Sequence, residues 1–154
     1  MFKLYDKYKE KIMIGAWIIL AAILIPNFIP TIEINPAFQE YHDDYMNMVK
    51  ARCNEDQYEQ PVRLFMDFDD LGDSVIGYCE VRIFSYYIKI DRRFWAESDE
   101  VEREQLIFHE MAHCIIDKDH VNDVSNYMFF STLPRDRQTI RHQVIRDIED
   151  HCRD

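Results

Sequence analysis

Residues 108–120 read FHEMAHCIIDKDH, with histidines at 109, 113 and 120 and a glutamate directly after the first. The stretch continues a helical pattern. Val101, Leu106, Ile107, Met111, Cys114 and Ile115 recur at helical spacing, Ser98 or Asp99 can cap the start, and acidic residues crowd the first turn, where the helix dipole favours them. On a helix, residues four apart lie on one face. His109 and His113 can therefore offer two imidazoles to one metal ion. Glu110 follows His109 by about 100° of rotation, beside such an ion rather than on it. A carboxylate there can take a proton from an activated water and hand it to a leaving group, which is the mechanical content of the H-E-x-x-H pattern. A catalytic zinc takes three protein ligands and keeps one position open. His120, where the helical pattern ends, is the expected third ligand; Asp119 is the alternative, with Asp117 and Asp123 behind it.

Working outward, residues 36–53 carry Phe38, Tyr41, Tyr45, Met48 and Val49 at helical spacing, entered through Pro36. Residues 62–68, 75–84 and 86–91 have strand composition, with turn residues LGDS at 71–74. After Asp117 the chain is polar and irregular. Residues 127–133 are apolar and stop at Pro134, and Ile140, Val144, Ile145 and Ile148 mark a last helix. The expectation is an α+β fold: helix, about three strands, motif helix, irregular segment, closing helix. Trp95 reads as core, and His42, His142 and His151 have no partner at ligand spacing.

The chain of 154 residues is 47% hydrophobic and 14% aromatic, enough for one packed domain. Its net charge is −11, and because residues 1–30 hold four lysines against two acids, the remainder carries −13. An acidic body repels phosphate backbones, which argues against nucleic acid as a partner. Residues 12–29, IMIGAWIILAAILIPNFI, contain no charge. They read as a membrane-spanning helix, with residues 1–30 as anchor, the amino terminus cytoplasmic and residues 31–154 outside the cytoplasm. A cleaved signal sequence followed by secretion, or a core helix, are the alternatives. Cys53, Cys79, Cys114 and Cys152 all follow that run, and an even count fits two disulfides among three possible pairings, against free buried thiols.

The stretch HEMAHCIIDKDH (109–120), with SNYM at 125–128, resembles the zincins, nearest to the metzincin type, and is similar to short metallopeptidases of bacteria and their phages. That resemblance implies a sheet packed on the motif helix, a zinc ion (Zn2+) held by His109, His113 and His120, Glu110 as general base, and Met128 in a methionine turn. It implies strand 86–91 as the edge that receives a peptide, residues 127–133 as a pocket wall, and Tyr127 as a possible oxyanion donor. The sequence departs from the metzincin pattern in that the third histidine comes one residue late and no glycine follows Cys114. Asp117 or Asp119 must then make the turn, since Asp tolerates left-handed backbone. The expected function is a membrane-anchored, zinc-dependent endopeptidase acting on peptides or proteins. The reading from another class is a zinc-stabilised binding module, with a closed site completed by Asp119 or Asp123.

Overall fold

The computed structural model describes residues 13–19, 30–54, 57–58, 63–129 and 136–153. Residues 13–19 form α1, followed by β1 (Thr31–Ile34), α2 (Gln39–Lys50), β2 (Arg63–Asp69), β3 (Gly77–Arg82), β4 (Ser85–Asp91), α3 (Arg92–Glu97), α4 (Glu100–Ile115) and α5 (Arg137–His151). The expected α+β order holds, with two additions. Strand β1 lies between the apolar run and the first expected helix, where no element was expected, and α3 is a short helix capped by Asp91, whose carboxylate accepts from the Phe94 N–H.

The sheet order is β1-β2-β4-β3; β1, β2 and β4 run parallel, and β3 returns antiparallel to β4 as a hairpin. Alternation decides which face is covered. Leu64 and Met66 of β2 and Tyr86, Ile88 and Ile90 of β4 are buried, while Phe65 and Tyr87 between them stack on the other face with ring centroids 4.9 Å apart. The buried face meets α4 and α2. Tyr45 and Phe108 join the two helices, and Ile140, Val144 and Ile148 bring α5 onto the same core.

Asp99, one of the two expected caps, starts α4 with a capping box: its carboxylate accepts from Val101 and Glu102, and the Glu102 side chain accepts from the Asp99 N–H. Inside the helix, Glu104 is fully buried and paired with Arg137 and Arg141 of α5. A buried carboxylate left alone would be costly, so this pairing fixes where α5 docks. Two disulfides complete the frame and choose among the three pairings. Cys53–Cys152 joins the region after α2 to the end of α5, and Cys79–Cys114 joins β3 to α4.

The membrane anchor expected over residues 12–29 is not supported. Of that run the structure describes residues 13–19, which are helical. Among the described residues no helix is long and apolar enough to cross a membrane. The single-pass topology, and the placement of the two ends on opposite sides of a membrane, fall with it. Residue 12 and residues 20–29 of the run lie outside the described residues.

Candidate metal centre

Three imidazoles meet at the carboxyl end of α4. The Nε2 atoms of His109 and His120 are 2.9 Å apart, those of His109 and His113 3.1 Å, and those of His113 and His120 3.2 Å. The first two come from consecutive turns of α4. The third is brought back by a reversal at Asp117, whose φ of 49° is the left-handed conformation that no glycine was there to supply. The Lys118 N–H closes that reversal on the Ala112 carbonyl at 3.1 Å. Asp119 is exposed and lines the adjoining cavity; among the described residues, the group of side chains able to share an ion is His109, His113 and His120.

The far side of two rings is fixed by main-chain acceptors. His109 Nδ1–H donates to the Tyr127 carbonyl at 2.9 Å, and His113 Nδ1–H donates to the Lys118 carbonyl at 2.5 Å. With Nδ1 carrying the proton, Nε2 presents a bare lone pair. Two such lone pairs at 3.1 Å repel unless a cation lies between them. Tetrahedral zinc with Zn–N bonds of about 2.0–2.1 Å spaces its nitrogens about 3.3 Å apart, close to the separations found. Burial pushes the His109 pKa down to about 4 and lowers that of His113, so both rings are neutral at neutral pH, as ligands must be. The donor set, three neutral nitrogens oriented by carbonyls, fits the metal.

Glu110 lies beside the triad, buried, its carboxyl pushed up to about 8 by that burial, against the opposing pull of a hydrogen bond from the Cys79 N–H. It faces β3 across a very short gap. A Cβ built on Gly77 would sit 2.9 Å from Glu110 Oε1 and 3.1 Å from Leu106 Cδ1, so only glycine lets the strand lie this close. A cavity of about 490 Å3 opens over these groups, lined by β3 and the residues before it, the triad, Glu110, Asp117 to Asp119 and Phe129.

Other expected roles are redistributed. Strand 86–91 is β4, paired on both sides, so it cannot receive a peptide; β3 is the edge strand and lines the cavity. Tyr127 and Met128 are fully buried. The Tyr127 phenol does not line the cavity, so its place is as the residue whose carbonyl orients His109, and the oxyanion role is not carried further. Of the expected pocket wall, Phe129 lines the cavity, and residues 130–133 lie outside the described residues. Gly77 was open to detection as an isolated glycine inside a strand pattern. The carbonyls of Lys118 and Tyr127 were not, because any residue carries one.

A family model described as "Putative phage metallopeptidase" matches residues 34–147, a span that holds β2 to α4, both disulfide-linked walls of the cavity, Glu110 and all three histidines. No curated protein and no solved structure matches the chain. Since the match takes in 114 of the 154 residues, the chain belongs to this phage metallopeptidase family, hydrolases that act on peptide or protein substrates with a metal ion.

Proposed function

We propose that the protein is a zinc-dependent endopeptidase of zincin type, in which His109, His113 and His120 hold the ion and Glu110 is the general base. The observation that carries this reading is the convergence of three Nε2 atoms within 3.2 Å, with Glu110 against the same cavity. Zinc held there would supply Lewis acidity and lower the pKa of its water toward about 7. The chain's own groups do the rest. The Glu110 carboxylate, whose ionised form a cation at the triad would favour, receives the proton given up on attack and delivers it to the departing amine. The open edge of β3 offers main-chain groups to an extended peptide, and Val75, Ile76 and Val81 offer apolar contact to its side chains. Met128, fully buried and next in sequence to the residue that orients His109, would be the methionine of the turn.

The test is metal content. The full chain should purify with about one zinc per molecule and hydrolyse peptides, and His109→Ala should lose both ion and activity. A folded wild-type protein that takes up no zinc when it is supplied would sink the reading. Gly77→Ala separates seat from metal. The added methyl displaces the Glu110 carboxyl, so kcat should fall roughly tenfold or more while zinc stays bound, as expected for misplacing a catalytic group by a fraction of an ångström.

A further inference from the structure

Helix α5 contributes no side chain to the triad, yet it holds both residues whose carbonyls aim the rings. Gln143 Oε1 accepts from the Tyr127 N–H at 3.0 Å, and its Nε2 donates to the Ser125 carbonyl at 2.7 Å. Tyr127 is the residue whose carbonyl receives His109 Nδ1–H. One helical turn later, Asp147 Oδ1 pairs with Lys118 Nζ at 3.1 Å, and the Lys118 carbonyl receives His113 Nδ1–H. Residues 143 and 147 share one face of α5. Each holds a different one of the two residues that set a ligand's tautomer and aim.

The chemistry of Asp147 argues that this is more than packing. Its carboxylate is buried, and its second oxygen, Oδ2, meets no donor at full hydrogen-bonding distance, although the Tyr127 phenol lies near enough to interact with it. A half-satisfied buried carboxylate is a poor stabilising device: an apolar side chain of similar volume would serve the core as well or better. What an apolar side chain could not do is hold the Lys118 ammonium, and with it the carbonyl that points at His113. Gln143 likewise spans a three-residue segment from both ends, holding the Ser125 carbonyl and the Tyr127 N–H in a way no hydrophobic contact would.

We propose that Gln143 and Asp147 are positioning residues of the metal centre, acting on His109 through Tyr127 and on His113 through Lys118. The inference rests on the reading of those histidines as metal ligands. It applies to metal affinity rather than to the hydrolytic step, because neither residue reaches the cavity.

The experiment is a chelator competition for zinc on the full chain, run beside a thermal melt of the metal-free protein. Gln143→Leu and Asp147→Asn should each weaken zinc binding by roughly 10- to 100-fold, the usual cost of removing a group that orients a ligand. Gln143→Glu, which keeps the acceptor for the Tyr127 N–H but sets a carboxylate oxygen against the Ser125 carbonyl, should recover only part of the loss. Arg141→Met is the control: it weakens another tie between α4 and α5, to Glu104, without touching a ligand-bearing residue, so it should lower the melting temperature and leave zinc affinity within error. Equal affinity in wild type, Gln143→Leu and Asp147→Asn, whatever happens to the melts, would overturn the proposal. Should Asp147→Asn fail to fold, Gln143→Leu decides alone, since its side chain is only half-buried. A wild type that binds zinc no better than His109→Ala would remove the triad reading and this proposal with it.

Discussion

Glu110→Gln should lower kcat for peptide hydrolysis by roughly 10²- to 10⁴-fold, the range over which a positioned general base contributes, while zinc content and KM stay near wild type. The amide has the size of the carboxyl and keeps an oxygen for the Cys79 N–H, so the seat against Gly77 is undisturbed. What it lacks is the ability to take a proton. Turnover at the wild-type rate would exclude Glu110 from the proton path and leave the triad as a metal site of another purpose. Loss of zinc together with activity would mean instead that the carboxyl supports the ion.

The second large effect is on the metal-free protein, where Glu110 should make folding stability depend on pH. Its carboxyl is pushed up to about 8 in the folded chain from an ordinary 4.5. Below the ordinary value it is protonated in both states and contributes nothing to the difference. Between the two values the unfolded chain releases the proton and the folded chain keeps it, so stability falls as pH rises. Above about 8 the cost is complete. At about 1.4 kcal/mol per unit the full cost has an upper bound on the order of 5 kcal/mol. Burial lowers the pKa of His109 and His113, which pulls stability the other way within the same range, so the measurement is a difference. Urea unfolding of metal-free Glu110→Gln and wild type should agree near pH 4 and diverge toward pH 8.5, the variant being the more stable. Parallel curves would show that the carboxyl is not buried as described.

Much of the centre was legible because it is local. Two histidines four apart and a glutamate between them need only one helix, and the cap at Asp99 and the run of apolar residues declared that helix. The reversal that returns His120 was legible as a necessity, and Asp117 supplies it. The features that sequence could not settle depend on partners far along the chain. Strand 86–91 reads as a strand, but whether it is an edge depends on β1 and β2 lying beyond it. The pairing of four cysteines depends on the docking of α5 and β3. Gln143 and Asp147 look like ordinary polar positions of an amphipathic helix until Ser125, Tyr127 and Lys118 are set against them. For the apolar run at 12–29, hydropathy alone states that a segment avoids water; among the described residues no helix is long and apolar enough to cross a membrane.

The Cys79–Cys114 bridge makes the two jaws of the cleft unequal. It welds the edge strand to the residue that follows His113, so the strand side cannot swing away from the helix without breaking a covalent bond. The opposite jaw, running from Asp117 to Phe129, carries no disulfide; hydrogen bonds, the Lys118–Asp147 ion pair and the burial of Tyr127 and Met128 latch it. Any widening needed to admit a bulky side chain or release a product must come from that latched side. It carries His120, the proposed third ligand, so on that reading opening the mouth and loosening the grip on the ion would be one motion.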